Sequence, residues 1–230
     1  MSSATEAARQ FDPASRTRLT HRDVGRFPTD SLFDRIGRAV AGAEALPRKE
    51  LFESWEVARR VRRRFRGGNV LDLAGGHGLL AHMLLLLDDS SPTARVVDPT
   101  TPPSAAHVHG ALVDAWPRLK GRVEYTAEPL EGVNATPTDL LVSVHACGAL
   151  TDRVLDLAIQ AQTRVAVLPC CHDARANDAG GLEGWLDPSL AIDATRVARL
   201  RHAGFVVHTA QIPPAITPKN RLLLAAPDAG

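Results

Sequence analysis

The chain has few cysteines, almost no net charge and no long run of apolar residues. Its 230 residues include three cysteines, Cys147, Cys170 and Cys171, too few for a disulfide framework and typical of a reducing compartment. Lys and Arg number 27 against 26 Asp and Glu, which excludes a uniformly basic nucleic-acid coat but not a local basic patch. The longest apolar run, residues 79–87, is interrupted by His82 and is too short to cross a bilayer.

The first thirty residues lack the apolar segment of a signal peptide. Together with the sparse cysteines, this predicts a cytoplasmic protein without a membrane segment. Hydrophobic residues make up 44% of the chain and charged residues 23%, values close to the average for soluble globular proteins. Fibrous and largely disordered classes are therefore excluded, and a chain of this length can bury most of its apolar surface without disulfides or metals.

Short buried strands alternate with helical patterns along most of the chain. This alternation predicts an α/β fold, a Rossmann-like, doubly wound, mostly parallel seven-stranded sheet with an N-terminal helical extension. We expect residues 1–45 to form the extension and residues 46–230 the main domain. Thr151 is predicted to cap the helix after the fourth strand. The predicted strands are residues 69–74, 94–98, 122–126, 139–144, 164–168, 205–209 and 221–225.

A helix that begins after Pro47 and stops at Gly67 carries an arginine-rich face opposite its apolar stripe. A solvated surface is one explanation of this face, and a patch that contacts RNA phosphates is the other. The face is assigned six residues: Arg59, Arg60, Arg62, Arg63, Arg64 and Arg66.

A glycine turn between the first strand and the next helix is the richest segment of the sequence. The segment from Asp72 to Gly78 reads Asp-Leu-Ala-Gly-Gly-His-Gly, and glycines there let the backbone approach a ligand closely. Ligands of open parallel sheets bind beyond the carboxyl ends of the strands. Asp98 ends the second strand, where a carboxylate can accept the hydroxyls of a ribose.

Two cofactors compete for this turn. Gly76, Gly78 and Ala81 fit a loose dinucleotide fingerprint, which would indicate an NAD-dependent oxidoreductase. The same segment resembles the Asp/Glu-x-Gly-x-Gly-x-Gly loop of class I methyltransferases, in which Ala74 replaces the first glycine. Asp72 favours the second interpretation, because a carboxylate at that place would repel a pyrophosphate.

Cysteines and histidines follow the fourth and fifth strands. The fourth strand leads into His145-Ala-Cys147-Gly-Ala-Leu-Thr-Asp and the fifth into Pro-Cys170-Cys171-His172. Because the carboxyl ends of parallel strands share one edge, we expect these five side chains to converge on one pocket. Their ligand chemistry would suit zinc, but the spacing is not a repeated Cys-x-x-Cys pair, and no metal is predicted. A catalytic thiolate and plain packing are further interpretations.

Paired in one chain, these two segments resemble a family of Rossmann-like, S-adenosylmethionine-dependent methyltransferase domains. It includes the eukaryotic methyltransferase-like protein 25 type and is similar to the tRNA 2′-O-methyltransferases with a Cys-Cys-His motif. The resemblance spans residues 45–226 and implies S-adenosylmethionine as cofactor. The candidate catalytic residues are His145, His172 and Cys170. The candidate cofactor-binding residues are Asp72, Ala74, Gly75, Gly76, Gly78, Asp98, Glu128 and His145.

The sequence leaves the methyl acceptor open. RNA, reached through the arginine-rich face, is one candidate. A non-catalytic module that keeps the fold and the cofactor is a further alternative, because Ala74 stands where the family has a glycine.

Overall fold

A seven-stranded sheet forms the centre of the protein in the computed structural model, which describes residues 11–228. The strands are β1 (Val70–Leu73), β2 (Ala94–Asp98), β3 (Val123–Ala127), β4 (Leu140–Ser143), β5 (Arg164–Val167), β6 (Phe205–Gln211) and β7 (Arg221–Pro227). Their order in the sheet is β3-β2-β1-β4-β5-β7-β6, and only β7 runs antiparallel to its neighbours. This confirms the predicted Rossmann-like, mostly parallel sheet.

Six α-helices surround the sheet in the described part of the chain. Four of them follow a strand, as the alternating sequence pattern predicts. The helices are α1 (Leu32–Ala43), α2 (Arg48–Arg64), α3 (Leu79–Leu87), α4 (Ala105–Ala115), α5 (Ala149–Ala161) and α6 (Pro188–His202). α6 begins at Pro188 because proline fits a first helical turn and the Asp187 carboxylate accepts the amide hydrogens of Ser189 and Leu190.

The predicted cap of α5 is wrong. Gly148 precedes the helix with φ of 58°, a conformation that glycine adopts at little cost, so the helix begins before Thr151. The Thr151 side chain is buried and its hydroxyl donates a hydrogen bond to the Ala146 carbonyl at 2.5 Å.

Buried side chains form a separate apolar layer on each face of the sheet. In β1, Val70 belongs to a cluster that also contains the buried residues of α2 and α3. Leu71 and Leu73 belong to the opposite cluster, which contains buried residues of α5 and α6. This alternation follows from the two-residue repeat of a strand. Because helices cover both faces of the sheet, the edge at the carboxyl ends of the strands is where a ligand can approach.

The described part of the N-terminal extension shares the core of the main domain. Leu19, Phe27 and Ile36 are fully or almost fully buried in the same cluster as α2 and α3. The rings of Phe33 and Trp55 lie 5.2 Å apart, which joins α1 to α2. Residues 1–10 of the predicted extension lie outside the described residues, and a domain boundary at residue 45 stays a prediction.

Arg62 is not part of the arginine-rich face that the sequence indicated. Its side chain is buried, and it donates hydrogen bonds to the Leu84 carbonyl and the Ser91 hydroxyl while lying 3.2 Å from the Asp88 carboxylate. The sequence pattern placed Arg62 among the surface arginines. Its long side chain nevertheless extends along the helix and buries its charged end in the layer below. Arg62 therefore anchors α2 to the segment after α3.

None of the helices within residues 11–228 combines the length and the apolar composition that crossing a membrane requires.

Candidate functional site

The glycine turn after β1 depends on backbone angles that favour glycine. Ala74, Gly76 and Gly78 have φ of 54°, 50° and 71°. A β-carbon on Gly78 would come within 2.7 Å of Val96 and 2.8 Å of the Tyr125 hydroxyl, so only glycine fits there. Ala74 adopts a left-handed backbone angle that non-glycine residues rarely take.

Tyr125 holds this turn through a hydrogen bond. The sequence analysis did not single out this residue. Its hydroxyl donates a hydrogen bond to the His77 carbonyl at 2.9 Å. Tyr125 lies in β3, two strands away from the turn. It is the only tyrosine in the chain, a composition signal that could have drawn attention to it.

Asp72 is buried at the carboxyl end of β1. One of its carboxylate oxygens accepts the amide hydrogen of Ala81 at 3.1 Å, near the N-terminus of α3, where a negative charge is favourable. Burial nevertheless raises the pKa of Asp72 to about 7, and the nearby charge of Asp98 adds to the rise. The carboxyl group is therefore held close to the balance point between its neutral and charged forms at neutral pH.

Asp98 stands at the end of β2, next to Asp72. Its carboxylate accepts amide hydrogens from Gly76 at 3.2 Å and from Thr100 at 3.0 Å. These bonds fix the carboxylate against the glycine turn while leaving it half-buried. The register pairs residue 72 of β1 with residue 96 of β2, so Asp98 lies two residues further towards the carboxyl edge, and both acids line the same cavity.

A cavity of about 360 Å³ opens above these strand ends. It is lined by side chains from the glycine turn, from the ends of β2 and β4, and from α2. Glu50 and Ser54 of α2 were missed by the sequence analysis, because only the packing of α2 over the turn brings them there. The lining residues are Glu50, Ser54, Asp72, Ala74, Gly75, Gly76, His77, Leu79, Leu80, Asp98, Pro99, Val144, His145 and Leu150.

Three carboxyl groups therefore face one cavity. Burial raises the pKa of Glu50, and the charge of Glu53 raises it further. Among residues 11–228, none of Glu50, Asp72 and Asp98 forms an ion pair. Uncompensated carboxylates in a confined space repel one another and attract cations. The cavity is therefore suited to a ligand that carries positive charge.

His145 lies at the mouth of the cavity, on the segment after β4. His145 is exposed, but nearby protein atoms take the place of part of its water. This loss of solvation lowers the pKa of His145, although the charge of Glu53 opposes the shift. Loss of solvation likewise lowers the pKa of His77. Both rings are therefore mainly neutral at neutral pH, the form in which imidazole can accept a proton.

Glu128 is not among the residues that line the cavity. It follows β3, and its carboxylate lies 3.5 Å from the Arg95 guanidinium. Gly78 also lies outside the lining, where it forms the buried start of α3.

The five cysteine and histidine side chains after β4 and β5 do not share one pocket. His145 alone lines the cavity described above. The sulfur atoms of the three cysteines lie within 4.8 Å of one another in a separate cluster. His172 turns away, and its Nε2 atom lies 2.8 Å from the Asp193 carboxylate. The shared edge of the sheet brought the loops together, but the direction of each side chain is set by its local partners.

Asp193 belongs to a buried ion-pair network beneath those loops. Arg196 and Arg221 donate hydrogen bonds to its two carboxylate oxygens at 3.2 and 2.7 Å. Arg196 also donates two hydrogen bonds to Asp152 at 3.0 and 2.9 Å, and Arg199 lies 3.6 Å from the same carboxylate. Burial opposes the ionisation of Asp193, but hydrogen bonds from His172 and Arg221 and the charge of Arg221 hold its pKa below the usual value.

Fewer arginines of the arginine-rich face are exposed than the sequence indicated. Arg59 and Arg60 both pair with Glu56, and Arg64 contacts His208. Arg63 is exposed. The exposed arginines of this face are Arg63, Arg64 and Arg66.

Comparison with known proteins matches a family model described as a methyltransferase domain to residues 55–177, just over half of the chain. The matched segment contains the glycine turn, both acidic strand ends and all three cysteines. No curated relative matches the chain at a significant level.

Two solved structures show a similar fold. An O-methyltransferase family protein from Burkholderia thailandensis is 18% identical with a TM-score of 0.51, over 92% of this chain and 64% of that protein. The pyocyanin biosynthetic protein PhzM is 17% identical with a TM-score of 0.50, over 92% of this chain and 62% of that protein. The chain thus spans a little under two thirds of the length of either protein.

Proposed function

Because the chain belongs to the methyltransferase domain family, whose members depend on S-adenosylmethionine, we propose that its acidic cavity binds S-adenosylmethionine for methyl transfer. The observation that carries this proposal is the set of three carboxyl groups around a glycine turn that have no ion-pair partner within residues 11–228. The cofactor carries a sulfonium and an ammonium group, so its positive charge matches these carboxylates. A dinucleotide would bring a pyrophosphate to the same acids, and its charge would be repelled.

Each lining acid has a proposed role. The Asp98 carboxylate accepts the hydroxyls of the ribose, as acids at the end of the second strand do in nucleotide-binding sheets. The free oxygen of Asp72, together with Ala74, Gly75 and Gly76, holds the amino-acid portion, directly or through water. Glu50 closes the cavity from α2 and adds negative charge. Of the remaining sequence candidates, Gly78 shapes the turn, and an adenine contact by Glu128 stays a prediction.

His145 is the proposed general base. Its ring stands at the mouth of the cavity and is mainly neutral at neutral pH, so a ring nitrogen can accept a proton from an acceptor hydroxyl or nitrogen. When bound, S-adenosylmethionine supplies the electrophilic methyl group, and the protein contributes position and proton transfer. His172 and Cys170 stay catalytic candidates from the sequence, and neither lines this cavity.

We further propose RNA as the acceptor class. The proposal rests on the similarity to tRNA 2′-O-methyltransferases with a Cys-Cys-His motif and on the exposed arginines at the end of α2. Phosphate contacts through Arg63, Arg64 and Arg66 predict binding that weakens steeply with salt. Transfer of radiolabelled methyl groups to tRNA, compared with protein and metabolite pools, tests this proposal. Transfer to another pool alone would contradict it.

Calorimetric titration tests the cofactor assignment. We expect S-adenosylmethionine and S-adenosylhomocysteine to bind, and Asp98→Ala to weaken both by about 10- to 100-fold, because hydrogen bonds to a charged group are lost. Glu124→Ala, an exposed acid on β3, is the matched control and leaves binding unchanged.

NAD and NADH are titrated in parallel. Binding of NADH without binding of the sulfonium cofactor would overturn the assignment in favour of an oxidoreductase. Tight cofactor binding with no transfer to any acceptor pool would instead identify a non-catalytic module and contradict the methyl-transfer proposal.

A further inference from the structure

All three cysteines of the chain meet outside the cofactor cavity. Cys147 follows β4, whereas Cys170 and Cys171 follow β5, and their sulfur atoms lie within 4.8 Å of one another. We propose that these three cysteines bind one Zn²⁺ ion through their thiolates and leave a fourth coordination position open. This site is separate from the proposed function, and its test does not depend on methyl transfer.

The sulfur positions are close to those that zinc requires. Zinc–sulfur bonds are about 2.3 Å long, so two sulfurs of a tetrahedral site lie about 3.8 Å apart. The Sγ atoms of Cys170 and Cys171 are 3.8 Å apart, which shows that adjacent cysteines meet this spacing here. The Sγ atoms of Cys147 and Cys170 are 2.9 Å apart, so an ion would separate them by about 0.9 Å.

Backbone hydrogen bonds hold the two cysteine-bearing loops together. The Gly148 amide donates to the Cys171 carbonyl at 3.3 Å, and the Leu168 amide donates to the Ser143 carbonyl at 2.9 Å. The cysteines are therefore brought together by the sheet and its continuation, at little further cost in chain entropy. Cys147 is exposed, which gives an ion a path into the cluster.

The charge of the cluster has a nearby counterpart in Lys219. Three thiolates around a divalent cation carry a net charge of −1. Lys219 lies near enough to Cys147 and Cys171 to interact with them electrostatically, so it can offset part of this charge.

The fourth position has no protein ligand in the described part of the chain. His172 is next in sequence, but its Nε2 atom is engaged with Asp193 at 2.8 Å and it lies outside the group of sulfur ligands. Three protein ligands with one open position are typical of zinc sites that bind water or substrate, whereas structural sites are closed by four.

Cobalt substitution tests the site directly. Fully reduced, metal-free protein is titrated anaerobically with Co²⁺, and Zn²⁺ is then added to displace it. We expect one ion per chain, a sulfur-to-cobalt charge-transfer band in the near ultraviolet, and protection of all three thiols from a thiol reagent by Zn²⁺. Each of Cys147→Ser, Cys170→Ser and Cys171→Ser should weaken metal binding at least tenfold and reduce the band.

Two controls separate this site from the cofactor cavity. Asp98→Ala should lose cofactor affinity and keep metal binding, whereas Cys147→Ser and Cys171→Ser should keep S-adenosylhomocysteine binding. The circular dichroism of all three metal-free cysteine variants should match that of the metal-free wild type, which shows that they fold. The proposal is overturned if reduced protein gives no charge-transfer band, if Cys171→Ser gives the wild-type band, or if Zn²⁺ leaves the thiols equally reactive. A disulfide between Cys147 and Cys170 that forms in place of metal binding would overturn it as well.

Discussion

The two halves of the carboxyl edge of the sheet differ in whether their buried and half-buried acids have ion-pair partners. Beneath the loops after β4 and β5, Asp152 and Asp193 are matched by three arginines of α6 and β7. Above β1 and β2, Asp72 and Asp98 meet Glu50 around a cavity, and none of the three has an ion-pair partner within residues 11–228.

This difference separates a structural role from a binding role. A compensated buried acid stabilises the folded chain only while its partner remains, because a lone buried charge is costly. An uncompensated acid at a cavity destabilises the free protein and is stabilised when a cationic ligand arrives. Stability and ligand affinity should therefore respond differently to substitutions in the two halves.

The largest change in the free energy of unfolding is expected when an arginine of the compensated half is replaced. Arg196→Met leaves Asp152 and Asp193 without their shared buried partner and should lower the free energy of unfolding by about 3–5 kcal/mol. Arg199→Met is the matched control, because Arg199 is 37% exposed in its side chain and exposed pairs contribute about 0–1 kcal/mol. Urea denaturation of both variants measures the difference. Equal losses in the two variants would contradict the structural role of the network.

A smaller change in the free energy of unfolding, of opposite sign, is expected when an acid of the uncompensated half is replaced. The folded-state pKa of Asp72 is about 7, against an ordinary value of 3.8, so the folded chain holds a proton that the unfolded chain has released. Stability that this group contributes below pH 4 is therefore lost as the pH rises towards 7. Asp72→Asn removes the loss and should raise the free energy of unfolding at pH 8 by about 2–4 kcal/mol.

Two controls sharpen this prediction: the stability of Asp72→Asn at pH 4, and the stability of a variant of an exposed acid at both pH values. At pH 4 the gain from Asp72→Asn should nearly vanish, because the wild-type carboxyl group is neutral in the folded chain. Glu124→Gln should change stability little at either pH. A gain that is equal at pH 4 and pH 8 would show that shape, and not charge, sets the stability at this position.

Most of the sheet could be predicted from the sequence because its strands are short, apolar and separated by glycine or proline. The strand at 94–98 agrees at both ends, and the glycine turn falls where the sequence pattern placed it. The meeting of Asp72 and Asp98 also follows from the order of parallel strands, because adjacent carboxyl ends share one edge.

The contributions that come from packing could not be predicted in this way. Glu50 enters the cavity only because α2 lies over the turn, and Arg62 leaves the surface because the helix pairs with the segment after α3. His172 turns to Asp193, which lies 21 residues further along the chain. Sequence spacing places a residue on an element, but the partner across the fold decides where its side chain points.

The most direct test is proton release on cofactor binding. Calorimetric titration of S-adenosylmethionine at pH 7 in two buffers of different ionisation enthalpy should show release of about half a proton from Asp72, with affinity rising about tenfold from pH 6 to pH 8. Glu50, His77 and His145 face the same cavity, and the amino group of the cofactor also titrates, so Asp72→Asn is measured in parallel to isolate the carboxyl group. Proton release that is present in the wild type and lost in Asp72→Asn is the predicted result. Cofactor binding with equal heats in both buffers, or with the same proton release in the variant, would contradict the claim that the uncompensated acids form the cofactor site.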